Sequence, residues 1–226
     1  FQGVLADFET NPYSDRLSFL SRLSARLSAR GMALYCPLSL PAEGAALLVG
    51  TGLSGGSLRA LLEETACRYG AERLALDLER VMMDFPLPCP SGCGTPLTRE
   101  ELLALREKHP SSVYFSRELM AKYFTYSAGN GTHFVLFDDA ETLRQKIKLA
   151  QNLGIQTAFL MFPEISDLLP ELQCLPIALP IARRCRVSIA IRFASAPIIR
   201  CCAAVGGSAA LRMRHTPCGC RSAHLV

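Results

Sequence analysis

An α/β fold built on a parallel sheet is what this chain predicts, and three observations predict it. Short apolar runs alternate with helical stretches of about 10–15 residues, the rhythm of βαβ units. The apolar runs end in polar or glycine residues on the loops that precede helices, as they do at the carboxyl mouth of a barrel or a doubly wound sheet. A hairpin signal interrupts this rhythm between about residues 89 and 136 and reads as a small α+β insertion. With 226 residues, half of them apolar, the chain can bury one domain core of ordinary size.

The elements follow in order. "FQGVLADFE" is a strand ending in two acids. "SDRLSFLSRLSARLSARG" repeats Leu or Phe at helical spacing, with Ser14 or Asp15 as cap and Gly31 as stop. "MALYCPLSL" and "AALLVGTGLSGG" are two further strands, the second breaking into a glycine-rich loop. That loop lacks the Lys-Ser/Thr of a phosphate-binding loop and serves to turn the backbone. Ser57 caps the helix "LRALLEETACRYG". "RLALDLERVMMDFPLP" is read as more helix followed by a strand from about Arg80 to Leu87. "CPSGCGTPLTREELLALREKH" is a loop and a helix capped by Thr98. "KYFTYSAGNGTHFVLFDD" is the hairpin, with His133 expected at its surface. "AETLRQKIKLAQNLG" is a helix, and "IQTAFLMF" is the last buried strand.

Charge and cysteine divide the chain near residue 172. Beyond Glu171 there are eight Arg, no Lys and no acid, whereas residues 1–171 hold 16 basic and 20 acidic groups. The net charge of +4 therefore belongs to the tail. A nucleic-acid surface needs its charge on a structured face, so nucleic acid is not an expected partner. Six of the ten cysteines also lie in the tail. Cys89 and Cys93 are read as loop thiols, since no second Cys or His pair follows at zinc-site spacing. Residues 173–226 are expected to stand outside the domain, disordered or read out of frame. No apolar run of about 18 residues argues for a membrane span. With Phe as its first residue, the chain is expected to begin downstream of the protein's own start, so that its first residues carry no information on a signal peptide.

The opening acids are the sharpest chemical feature. Alternation along a strand puts Gly3, Leu5, Asp7 and Glu9 on one face. Neighbouring carboxylates in the mouth of a sheet cannot both ionise cheaply, so one holds its proton near neutral pH. A protonated carboxyl beside an ionised one is what cleavage of a glycosidic bond requires. The bland alternative is a pair of solvated strand-end acids.

The run resembles the fourth strand of family 18 glycoside hydrolases, the chitinase-like barrels, which ends Asp-x-Asp-x-Glu. Leu5, Asp7 and Glu9 stand at the three positions. "RVMMDFP" resembles the seventh-strand pattern of the spore-cortex-hydrolase branch. In "HFVLFDDAETLRQKIKLAQNLGIQTAFLMF", residues Phe137, Asp138, Asp139, Lys146, Gly154 and Ile155 fall in step with the stretch leading to the last barrel strand. The resemblance covers about residues 1–172, from the fourth strand to the eighth. It implies a partial (β/α)8 TIM barrel that hydrolyses β-linked N-acetylglucosamine-containing glycan, peptidoglycan of the spore cortex or chitin. By that resemblance Glu9 is the general acid/base and Asp7 orients the N-acetyl group. Tyr35 is a candidate sugar contact or, the more ordinary reading, a half-buried core aromatic; Asp84 is a site acid or a strand-end polar residue; Met161 is a candidate substrate contact. No metal or organic cofactor is implied, and a secreted, cell-wall or spore location is. Oligomeric state is left open.

The chain also departs from that pattern. It has no Trp, and Met161 stands where the family places the Trp that floors the sugar site. The sixth-strand Met-x-Tyr-Asp signature is replaced by "LLVGTGLSG", and Gln2 replaces the acid before Gly3. The alternative function is therefore a non-catalytic glycan-binding barrel.

Overall fold

The computed structural model describes residues 3–6, 14–129, 131–172, 188–192 and 198–201, the last two stretches by their backbone. Two sheets organise it. Five parallel strands form the first: β1 (Gly3–Leu5), β2 (Ala33–Pro37), β3 (Ala46–Gly50), β4 (Leu74–Asp77) and, after a long excursion, the strand Thr157–Met161. Helix α1 (Ser14–Ser28) links β1 to β2, and α2 (Leu58–Tyr69) links β3 to β4. These are the βαβ units that the alternation predicts. Gly31, at φ +69°, turns the chain out of α1, as expected of a residue past a helix end. Ser57 caps α2 by accepting a hydrogen bond from the Ala60 N–H.

The excursion carries the second sheet, five antiparallel strands in the order β6-β5-β9-β8-β7. These are β5 (Met82–Leu87), β6 (Thr95–Pro96), β7 (Tyr114–Ser116), β8 (Ala121–Ala128) and β9 (Gly131–Phe137), with α3 (Arg99–Lys108) between β6 and β7. Helix α4 (Ala140–Asn152) then leads back into the parallel sheet through β10 (Thr157–Met161), followed by the short helices α5 (Phe162–Ile165) and α6 (Leu169–Leu172). In the backbone, β11 (Ser188–Arg192) pairs antiparallel with β10, and β12 (Ile198–Cys201) with β11. The rest of the 173–226 tail, expected to stand apart from the domain, lies outside the described residues.

The main core lies between the parallel sheet and its helices. Leu34, Leu47, Leu76 and Leu160 from the strands meet Leu20, Leu62, Leu143 and Ile147 from the helices. The opposite face of the sheet is concave. Tyr35 on β2 and Phe159 on β10 are three strand spacings apart, about 14 Å on a flat sheet. Their ring centroids are nevertheless 4.8 Å apart, edge to face. Contact across that span requires the sheet to curl, and the result is a half-barrel.

Two expectations are corrected here. Leu74–Asp77, read as helix, is the strand between β3 and β10. The strand over Arg80–Leu87, read as the next member of the parallel sheet, is instead the start of the antiparallel one, so the insertion runs from Met82 to Phe137 and not from 89 to 136. Burial explains the first correction. Leu, Ala, Glu and Arg are good helix formers, but Leu74 and Leu76 are buried against the helical layer while Asp77 turns to the concave side, the period-two pattern of a strand. Among the described residues no helix is long and apolar enough to cross a membrane.

Candidate functional site

The carboxyl ends of the parallel strands converge at one end of the half-barrel. Register sets what faces the hollow. Gly3 pairs with Ala33 and Leu5 with Tyr35, so Gly3, Leu5 and Tyr35 share the concave face. A Cβ on Gly3 would meet the Ala33 carbonyl at 2.7 Å and the Tyr35 ring at 3.2 Å. Glycine there is what lets the Tyr35 ring lie over the β1 backbone. Further round, Gly50 pairs with Asp77 and Asp77 with Phe159, so an acid and a ring occupy the same face at the ends of β4 and β10. Met161, the last residue of β10, is 40% exposed at the mouth. Asp7 and Glu9 lie outside the described residues.

A cluster without a counterpart among the expected site residues sits on the loops after β4 and β10. Glu79 follows β4, and its Oε2 accepts a 2.9 Å hydrogen bond from the Gly52 N–H. Arg80 is largely buried and reaches across to the end of β10. Its Nη1 donates to the Glu164 carbonyl at 2.8 Å and to Asp167 Oδ1 at 2.6 Å, and its Nη2 to Asp167 Oδ2 at 3.2 Å. Arg99 on α3 adds a second cation to Asp167 at 3.1 Å. Burial raises the affinity of Asp167 for its proton, but the hydrogen bond and charge of Arg80 outweigh it, so the carboxyl sits below its ordinary range. Glu164 goes the other way. Partial burial and the neighbouring Glu79 charge push it up against the opposing pull of Arg80. The signal available in the sequence was an acid three residues past the last strand, a position from which a loop can reach the mouth.

Asp84 is placed by the corrected topology in the middle of β5, away from the parallel sheet. The Tyr126 O–H donates to Asp84 Oδ2 at 2.8 Å, and His133 Nδ1 lies 3.0 Å from both carboxylate oxygens. Tyr126 stacks between His133 and His109, with centroids 4.7 and 4.6 Å away. His133 is therefore buried, 9% exposed, and not at the surface as expected. Burial first, then the hydrogen bond to Asp84 and its charge, push the Tyr126 hydroxyl up to about 12.

The base of the insertion is tied to the sheet by a buried ion pair. Lys146 Nζ on α4 is 2.7 Å from Asp138 Oδ2 and 3.3 Å from the Thr51 carbonyl at the end of β3. Both side chains are fully buried. Asp138 also accepts from the Val81 N–H at 3.0 Å and from Thr142 Oγ1 at 2.7 Å. Cys89 and Cys93 are free thiols, hydrogen-bonded only within their own loop. No group of three metal-ligating side chains occurs among the described residues. The mouth thus offers an aromatic floor, a thioether at one lip and carboxylates of differing proton affinity at the rim. Such a site can seat an uncharged ring and exchange a proton with its edge.

No protein-family model matches the chain, and no curated protein matches it in sequence. Solved structures do. A Bacillus subtilis protein described as a sporulation-specific glycosylase superposes with a TM-score of 0.55 at 19% identity, over 70% of this chain and 64% of that one. The spore cortex-lytic enzyme of Bacillus megaterium QM B1551 gives 0.54 at 18%, over 69% and 44%. The chitinase of Chromobacterium violaceum gives 0.52 at 18%, over 69% and 59%. At these identities the likeness is one of fold, and the chain spans less than two thirds of each.

Proposed function

We propose that this chain carries the cleft of an enzyme that hydrolyses β-linked N-acetylglucosamine-containing glycan, peptidoglycan or chitin, by a family 18-like, substrate-assisted retaining route. The observation that carries the reading is the β1–β2 register. Leu5, the last residue of β1, lies opposite Tyr35 on the concave face, and Asp7 and Glu9 follow it two and four positions later in the sequence. In this reading Glu9 donates its proton to the glycosidic oxygen while the substrate's N-acetyl oxygen attacks the anomeric carbon. Asp7 orients that N-acetyl group. Glu9, now a carboxylate, takes a proton from the water that opens the cyclic intermediate, so the anomeric configuration is retained. Tyr35 supplies a ring on which the sugar stacks, and Met161 lines the lip. The folds of the glycosylase and chitinase neighbours support a polysaccharide substrate.

A binding protein without turnover is the second reading. It is favoured by Met161, whose exposed side chain offers no ring at the end of β10. The two separate on one assay, release of a chromogenic leaving group from an N-acetylglucosamine oligomer by the longest natural form of the chain. Turnover abolished by Glu9→Gln, with folding unchanged, is the expected result, because the amide keeps the shape and cannot give up the proton. Undiminished turnover in that variant overturns the role of Glu9, and no turnover by the unaltered protein favours the binding reading.

A further inference from the structure

The two faces of the insertion sheet differ in kind. One is covered by α3 and carries Asp84, His133 and Lys122 among its apolar residues. On the other, strand pairing brings Tyr114, Tyr123, Phe134 and Phe85 together. Their rings form a continuous row, with centroid spacings of 5.6, 5.1 and 6.2 Å. The Phe85 end is roofed. A Cβ on Gly94 would come within 2.8 Å of the Phe85 ring, so the Cys89–Gly94 loop lies directly on it. Toward β7 the row opens to solvent, with Tyr123 and Phe134 half-buried and Tyr114 56% exposed. Beyond the rings the same face bears the exposed hydroxyls Thr125, Ser127 and Thr132. No strand position on this face is charged.

We propose that this row is a second glycan-binding surface, for an uncharged stretch of N-acetylglucosamine units outside the cleavage site; the choice of sugar rests on the function proposed above. Aromatic rings left partly exposed in line are costly in water and take up flat, partly apolar ligands. A pyranose offers such a face in its C–H groups, and its acetamido methyl extends it. Its hydroxyls meet the Thr and Ser hydroxyls, which donate or accept as the ligand demands. An acidic or basic partner would find no counter-charge on these strands. The chain continues from this sheet into the mouth through Asp138 and the Lys146 pair, so a polymer held here stays attached to the body that holds the cleft.

The test is a titration of residues 1–226 with a β-linked N-acetylglucosamine tetramer, read by NMR at the ring signals of labelled tyrosine. The signals of Tyr114 and Tyr123 should shift and saturate together. Tyr114→Ala should weaken the Kd read at Tyr123 by about tenfold, the loss typical of a contact aromatic. Phe19→Ala, an exposed ring on α1, and Glu9→Gln should leave it unchanged. If Tyr123→Ala disturbs folding, Tyr114→Ala, at the exposed edge, still decides the matter. Unmoved ring signals at high tetramer overturn the proposal, and so does a concentration-dependent gain in mass that Tyr114→Ala abolishes, which would make a second copy the occupant. Ring shifts without Glu9-dependent turnover would instead defeat the hydrolytic reading and leave this surface standing.

Discussion

The two sheets bury their polar groups in different places. In the parallel half-barrel the layer between strands and helices is mainly apolar, and its buried polar side chains are mostly helix residues, Ser24, Thr65, Thr142 and Lys146. In the insertion an acid sits mid-strand, held by Tyr126 and His133 within a thin core. A parallel sheet covered by helices on its outer side has enough apolar area to specify itself and leaves its mouth free for chemistry. A five-stranded sheet with one short helix has less, and a satisfied polar network adds the specificity that area does not. The joint between the two combines both devices, an ion pair that is fully buried and hydrogen-bonded on both sides.

The comparison breaks most readily at that joint. Lys146→Met leaves the Asp138 carboxylate buried without its cation, which should cost about 3–5 kcal/mol. Because Lys146 touches Thr51 and Asp138 together, chemical denaturation should show both sheets losing stability in a single transition. Adding Asp138→Asn should recover part of the loss, since the stranded charge is then gone. A loss confined to the insertion would show that the two regions are held together by something else.

Tyr126→Phe tests the insertion alone. It removes one hydrogen bond to a charged group, worth about 1.5–3 kcal/mol. Its pH dependence has a defined sign. The folded hydroxyl holds its proton up to about 12, against an ordinary value of 10.0. The stabilisation is therefore complete below about pH 10 and drains away as pH rises toward 12. Denaturation midpoints of the native chain and the Phe variant should converge over that window, and parallel curves would remove Tyr126 from the network.

The smallest effect sharpens the contrast at the covering helix. Thr98 and Glu101 form a capping box at the start of α3. Thr98→Ala should cost about 0.5–2 kcal/mol. Hydrogen exchange should rise in α3 and on the β8–β9 face it covers, with the half-barrel helices unchanged.

Much of the fold is legible in the order of the amino acids. The positions of β2, β3, α1, α2, α3 and α4 follow from local spacing, and the caps at Ser57 and Thr98 are where the residue types put them. The break into an antiparallel insertion follows from the aromatic alternation around Gly129 and Gly131. The family resemblance points to a barrel, and the curled sheet and its structural neighbours agree at that level. Of the candidate site, Tyr35 and Met161 lie at the half-barrel's concave face and lip. Asp7 and Glu9 lie outside the described residues.

What the sequence by itself determined is local: most of the helices and strands, the residues that cap the helices, and the alternation of the hairpin strands. These depend on interactions over a few residues, and periodicity records them directly. Only the tertiary structure decided which strands share a sheet. Leu74–Asp77 carries helix-forming residues, yet it fills the gap between β3 and β10 because burial on both neighbours outweighs its intrinsic preference. That one placement sent Met82–Leu87 to the other sheet and gave Asp84 to His133 and Tyr126 in place of the mouth. Arg80 meets Asp167, and Lys146 meets the Thr51 carbonyl, across comparable distances in the sequence. Partners 49 or 87 positions apart leave no mark in local spacing, because their meeting is set by which sheet edges become neighbours once the chain has folded.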